Sequence, residues 1–256
     1  MGGSSGIGFA ALEELASRGM NVAVLYRETS LTEKSLKEKL TKIAADSQVV
    51  ILPYNINALD KTGRELFITK FNADGGSKHS IKLLLHSIAR GNLKPLVAEG
   101  STDDQNILSA EDIQFTTYAM SNSLLDWTRD LLNAGFFHQD SCIIGLTSEG
   151  AHKHWEGYAA VSIAKSSLES LAKYMAVEFG KFGLKTNLIQ AGITDTSSLK
   201  MIPGSEQLLK IAAERNPLGR ATRPSDVAKV IGLLCSNEAF WINGSIIHVD
   251  GGEHCR

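Results

Sequence analysis

The sequence predicts an α/β fold, a doubly wound parallel sheet in a single domain over residues 1–256. Three observations carry that reading. Short apolar runs, suited to strands buried on both faces, alternate with amphipathic stretches along the whole chain. A glycine-rich turn stands directly before the first amphipathic stretch. No repeat and no Pro/Gly-rich linker interrupts the alternation, and 256 residues suit one large core.

Taken in order, the chain opens on Met1-Gly2-Gly3-Ser4-Ser5-Gly6-Ile7-Gly8. A helix follows, with Phe9, Leu12, Leu15 and Ala16 on one face, and Gly19 stops it. Residues 21–26 form a strand, 32–45 a lysine-rich amphipathic helix, and 49–52 a second strand. Residues 66–71 lie in a helix and 81–85 in a strand. Residues 97–107 read as a polar loop and 110–133 as one long helix. A strand at 142–146, a long helix at 158–179 and a strand at 186–190 come next. Helices at 205–215 and 225–235 precede a last strand at 244–249 and the turn Asp250-Gly251-Gly252.

Composition narrows the class of function. Hydrophobic residues make up 43% and charged residues 21%, with a formal net charge of −2, so nothing favours nucleic acid or an anionic membrane as a partner. Cys142, Cys235 and Cys255 are far apart, which argues against a disulfide framework or a zinc site. His152 and His154 read as solvated loop residues, and no metal is expected. No apolar run reaches the ~18 residues of a membrane span. No signal-peptide pattern opens the chain, so a reducing cytoplasm is the expected compartment.

Gly2, Gly6 and Gly8 give the spacing GxxxGxG before a helix. Such a turn lets the backbone approach a ligand, and the helix N-terminus offers free N–H groups to a pyrophosphate. Ser4 and Ser5 add hydroxyl donors. A Rossmann-type fold needs a strand before this turn, and only Met1 precedes it. The first strand is thus absent from the chain as written. A truncated chain, a misassigned start and an incomplete domain are the open readings. The expectation is that the natural protein begins upstream of Met1. At the end of the second expected strand stands Arg27, which suits the 2′-phosphate of NADPH, while the neighbouring Glu28 keeps NADH open.

With these residues on the page, the chain resembles the short-chain dehydrogenase/reductase superfamily over nearly its whole length. The turn matches the superfamily's TGxxxGxG, with Met1 for threonine. Asn187-Leu188-Ile189-Gln190-Ala191-Gly192 followed by Thr196 looks like its NxxxPGxxxT segment, and residues 244–252 look like its C-terminal segment. Three departures resemble the enoyl-acyl-carrier-protein reductases. Val161, not tyrosine, stands four residues before Lys165, and Tyr158 stands seven before it. His86-Ser87-Ile88-Ala89 replaces NNAG, and Met120 falls where ketoreductases carry asparagine. Residues 155–178 look like the NADPH-using branch.

The resemblance implies reduction of a trans-2-enoyl thioester, on acyl carrier protein or coenzyme A, by hydride from NADPH in fatty-acid synthesis. It implies Tyr158 and Lys165 as catalytic residues, Lys165 also touching the nicotinamide ribose. Ser148 aligns with the active-site serine, and bonding the carbonyl, orienting Tyr158 and capping a turn all stay open for it. Ser87, Ile88 and Ala89 would pass under the cofactor, Asn55 and Ile56 would lie near adenine, and Ile193, Thr194 and Thr196 would receive the nicotinamide amide. Residues 197–216 match a substrate lid, although Leu199, Met201, Ile202, Leu208, Leu209 and Ile211 also suit a core. A homotetramer is expected by the same resemblance.

The tyrosine spacing makes chemical sense. Hydride added to the β carbon of an enoyl thioester puts charge on an oxygen two carbons away. Moving the phenol three residues toward the helix N-terminus displaces it ~4.5 Å along the axis. The competing readings are a 3-ketoacyl or other carbonyl reductase and a catalytically inactive nucleotide-binding homologue.

Overall fold

The structure, a computed structural model, describes residues 1–97, 106–202 and 204–256. Most of the polar segment at 97–107 lies outside the described residues. The first half of the chain runs α1 (Gly6–Ser17), β1 (Val22–Tyr26), α2 (Ser30–Ser47), β2 (Ile51–Asn55), α3 (Lys61–Ala73) and β3 (Ile81–His86). Local chemistry sets several of these boundaries. Thr29 accepts from Thr32 N to start α2, and Asp60 accepts from Gly63 N to start α3. In the lysine-rich α2 only Leu36 and Leu40 are buried, one turn apart on the face toward the sheet.

α4 (Ala110–Thr117) begins with a reciprocal cap between Ser109 and Asp112. The expected single helix over 110–133 is broken: Tyr118–Asn122 form a π turn before α5 (Ser123–Asn133). Consecutive residues of an α-helix diverge by about 100°, so three in a row cannot all face one neighbour. The wider turn buries Ala119, Met120 and Ser121 together, and the Ser123 hydroxyl takes the Ala119 carbonyl at 3.0 Å. The chain continues through β4 (Phe137–Ser148), α6 (Ala159–Glu178), β5 (Leu184–Ala191), α7 (Ser197–Lys200), α8 (Ser205–Arg215), α9 (Pro224–Leu234) and β6 (Ile246–Val249).

Every strand pairing is parallel, as the alternation predicts. The sheet nevertheless comes in two hydrogen-bonded parts, β1-β2 and β3-β4-β5-β6. Met1–Gly3 stand between them. The Met1 amine donates to Leu85 O at 2.8 Å and its carbonyl accepts from Ser87 N at 3.1 Å. On the other side Gly2 N and Gly3 N both donate to Leu25 O, at 2.9 and 3.2 Å. Three residues thus bridge a gap that a central strand spans in a continuous sheet.

The two-residue period of β4 shows how the core is divided. Ile143 faces the cluster shared with α3, α5 and α6, where Tyr54, Phe67, Phe71 and Trp127 pack. Edge-on ring pairs order it, Tyr54–Phe67 at 5.1 Å and Phe67–Trp127 at 5.4 Å. Cys142 and Ile144 face the opposite cluster, with Ala11 of α1 and Val227 and Ile231 of α9. Helices on both faces leave the carboxyl ends of the strands free for a site. Among the described residues no helix is long and apolar enough to cross a membrane.

Candidate active site

The carboxyl ends of the strands open into a cleft of about 880 Å³, the usual ligand position in a doubly wound sheet. One end is built by the glycine turn, through Gly2, Ser5, Gly6 and Ile7. α1 has no side-chain cap and no acidic residue in its first turn, so its free N–H groups and positive dipole end are uncompensated. Gly2 has φ +74, and a Cβ there would lie 2.3 Å from the Ser87 carbonyl oxygen. The turn therefore packs directly on the end of β3, and Ser87, Ile88 and Ala89 continue the lining. Opposite, a Cβ on Gly6 would come within 3.2 Å of Thr196. Ile193, Thr194 and Thr196 line this side. Backbone donors, hydroxyls and the absence of a carboxylate in the turn fit a dinucleotide pyrophosphate.

Five predicted cofactor residues stand outside the cleft lining. Gly8 is buried where a Cβ would meet Gly2 O at 2.1 Å, so it lets α1 pack on the turn. Ser4 lies in the same turn, outside the lining. Asn55 clamps the end of β1 instead of facing the cleft: its Oδ1 accepts from Glu28 N at 3.1 Å and its Nδ2 donates to Glu28 O at 2.9 Å. Ile56 is a core residue, its N–H bonded to Tyr26 O at 3.0 Å. Arg27 is exposed and has no hydrogen bond or ion pair among the described residues. The Glu28 carboxylate, by contrast, accepts from Thr32 Oγ1 at 2.9 Å.

At the other end the cleft is lined by Ser148, Tyr158 and Lys165. Lys165 is 8% exposed, and its Nζ donates to Leu146 O at 2.7 Å. Burial lowers its amine to about 8. Tyr158 is the N-cap of α6, with φ −98 and ψ 4, so it stands just outside the helix expected to begin at residue 158. Burial pushes its phenol up, and a hydrogen bond with Ser148 pulls partly the other way. Ser148 Oγ also accepts from Gly150 N at 3.2 Å, so this serine both caps a turn and meets the tyrosine. Val161, in the register a ketoreductase tyrosine would occupy, packs with Met120 and Ala164.

The 197–216 segment divides between the two uses expected for it. Leu199, Met201, Ile202 and Leu208 line the cleft. Leu199 and Leu208 are nevertheless buried, whereas Met201 is 76% exposed. Leu209 and Ile211 are half-buried away from the lining.

Sequence reasoning passes over several polar residues of the site. Glu149, Asp250, Glu253 and His254 also line the cleft. Asp250 and His254 pair with each other one helical turn apart, at 2.6 Å, whereas Glu149 and Glu253 meet through distant Arg215, which no spacing reveals. His152 is not simply solvated: its Nε2 lies 2.8 Å from Glu169 Oε2. Glu169 is buried, one helical turn after Lys165, and accepts from Thr147 Oγ1 at 2.6 Å.

Comparison with known proteins agrees with this geometry. Residues 2–254 match the family model described as enoyl-(acyl carrier protein) reductase. Over 249 residues the chain is 29% identical to the NADPH-using enoyl-[acyl-carrier-protein] reductase FabI of Staphylococcus aureus, covering 97% of this chain and 91% of that one. A tropinone reductase homologue of Arabidopsis thaliana is 28% identical over 254 residues, covering 98% of this chain and 90% of the relative. The crystal structure of the NADH-using enoyl-[acyl-carrier-protein] reductase of Aquifex aeolicus superposes with a TM-score of 0.79 at 25% identity, covering 98% of this chain and 92% of that one. With a cleft of this construction and a family match over almost its whole length, the chain belongs to the enoyl-(acyl carrier protein) reductase family of the short-chain dehydrogenase/reductase superfamily and is an NAD(P)H-dependent oxidoreductase.

Proposed function

We propose that this protein reduces the carbon–carbon double bond of a trans-2-enoyl thioester with hydride from NADPH. The observation that carries the reading is the register of the phenol. Tyr158 lines the cleft at the start of α6 with Ser148 and Lys165, while the alternative register is filled by buried Val161. The bound nicotinamide supplies the hydride. Tyr158 donates a hydrogen bond to the thioester oxygen as charge develops there, with Ser148 orienting the phenol. Preorganised donors of this kind contribute ~10²–10³ in rate. Lys165 holds the ribose, and its buried cation favours the anionic form of neighbouring acids. Ser5 and the N–H groups of α1 take the pyrophosphate, and unpaired Arg27 takes the 2′-phosphate. Leu199, Ile202 and Leu208 form an apolar wall that shields the acyl chain from water.

We place the activity in the cytoplasm, in fatty-acid synthesis, with the acyl chain on acyl carrier protein or coenzyme A. Exposed Tyr174 and Val177 on α6, and exposed Trp241 before β6, offer apolar contacts for a homotetramer. The test compares NADPH oxidation with crotonyl or longer enoyl thioesters against ketoacyl thioesters and no substrate. Tyr158→Phe should lower turnover on enoyl thioesters by about 10²-fold. Ready reduction of ketoacyl thioesters with enoyl thioesters untouched would overturn the reading in favour of a carbonyl reductase. No oxidation with any substrate would leave a nucleotide-binding homologue.

A further inference from the structure

Arg215 is the last residue of α8, and its guanidinium is mostly buried. One of its nitrogens, Nη2, donates to two carboxylates at once, Glu149 Oε2 and Glu253 Oε1, the latter at 2.7 Å. Glu149 directly follows Ser148 and opens the loop that ends at Tyr158; it also pairs with Lys153. Glu253 is 1% exposed, and its second oxygen accepts from Ile193 N at 3.3 Å. Gly192 leaves room for this contact, since a Cβ there would lie 2.7 Å from Glu253 Oε2. One side chain thus connects the end of the lid, the loop between Ser148 and Tyr158, and the segment proposed to receive the nicotinamide amide. Buried carboxylates are costly unless paired. Burial indeed pushes the Glu253 carboxyl up, and the Arg215 bonds oppose that rise.

We infer that Arg215 is a positioning residue that couples the α8 lid to the catalytic loop and to the nicotinamide segment, so that these three parts of the active site form as one unit. The inference rests on the reading of the cleft given above. Both bonds leave one guanidinium nitrogen, whose two hydrogens lie in a fixed plane, whereas a lysine ammonium is a freely rotating point charge. If Arg215 were only a structural ion pair, its loss would lower stability and leave turnover per folded molecule intact. Coupling makes a different demand: turnover falls and the Michaelis constant for NADPH changes little, because the glycine turn and Arg27 still hold the rest of the cofactor.

The experiment uses the full chain and three variants, Arg215→Met, Arg215→Lys and the triple change Arg215→Met/Glu149→Gln/Glu253→Gln. Hydrogen exchange, which needs no substrate, should quicken in Arg215→Met at 149–157 and 193–194 as well as 205–215, with α1 to α3 unchanged. With enoyl thioester and NADPH, Arg215→Met should lose roughly 10- to 100-fold in turnover, and Arg215→Lys should fall between it and the parent. The triple variant, free of unpaired buried charge, should recover melting temperature but not turnover. Faster exchange confined to 205–215, or full recovery of turnover in the triple variant, would overturn the coupling. If Arg215→Met does not fold, unchanged exchange at both loops in Arg215→Lys would do the same. Coupled exchange in a parent that reduces no enoyl thioester would sink the proposed activity and leave the coupling standing.

Discussion

Gly150→Ala tests how the Tyr158 phenol, the proposed donor, is held. A Cβ at this position would lie 2.5 Å from Tyr158 Cε1, 2.9 Å from Cδ1 and 3.5 Å from Ser148 Oγ. Carbon atoms pack at about 3.5–4.0 Å, so the ring must retreat by roughly 1 Å or more. Overpacking of this kind costs about 1–3 kcal/mol of stability, which a folded domain tolerates. The catalytic cost is larger, because a reacting group misplaced by about 1 Å loses on the order of 10²-fold in rate. Steady-state NADPH oxidation with an enoyl thioester should therefore fall about 100-fold while thermal unfolding stays cooperative. Gly180→Ala is the control, because nothing lies within 4 Å of a Cβ there. It should leave turnover unchanged. If Gly150→Ala keeps full activity while Tyr158→Phe does not, the phenol is not positioned by this contact and the reasoning fails.

Three further outcomes are expected. Arg27→Ala should raise the Michaelis constant for NADPH by roughly 10- to 150-fold, the loss of a charge-assisted bond, and barely alter that for NADH; equal effects would shift attention to Glu28. The double change Tyr158→Phe/Val161→Tyr should not rescue enoyl reduction, because it moves the donor nearly one turn toward an oxygen on the hydride-accepting carbon; restored enoyl turnover would refute the register. Burial lowers the Lys165 amine from 10.5 to about 8, so above pH 8 the unfolded chain binds more protons than the folded one and stability rises with pH. Denaturant unfolding without cofactor should thus show the parent gaining about 1 kcal/mol over Lys165→Met between pH 7 and 9; parallel curves would show that the amine is not perturbed.

The parallel α/β plan is readable because most strands contain a compact apolar run and the longer helices carry an apolar stripe. Ser205–Arg215 matches its expected bounds, and α9 differs from its expected bounds by one residue at each end. Reading failed where tertiary contacts override local pattern. Tyr118–Asn122 carry no breaker residue, and their π turn answers to packing against α6. β4 begins at Phe137, five residues before the expected strand. The polar run His138-Gln139-Asp140 hides that start, with Asp140 at φ +65 beside a register shift between Ile81 and Leu83. In the site, the glycine turn shows in its spacing, and Lys165 and Tyr158 are named through the family resemblance. Glu149 and Glu253 could be named by neither, because Arg215 lies 66 residues from one and 38 from the other. Asn55, which the resemblance puts near adenine, braces the Glu28 backbone in the structure, a contact that no local pattern announces.

The spacing between Tyr158 and Lys165 therefore works for a reason other than helical periodicity. Lys165 is fixed by α6, but Tyr158 precedes the helix, and its backbone is not helical. What sets the phenol is the loop 149–157 and the contacts that hold it. The Ala151 carbonyl accepts from Ser166 Oγ at 3.1 Å, and His152 pairs with buried Glu169, both partners being on α6. Glu149 is tied to Arg215 of the lid helix, and Gly150 packs on the ring itself. A tyrosine at position 161 would have been placed by the helix alone, because α6 fixes every residue in its first turn. With the proposed donor at 158, its placement falls to a loop, and a loop holds one position only where several independent contacts agree. The polar contacts around this loop tie the placement of the phenol to the lid and to the Ile193 segment.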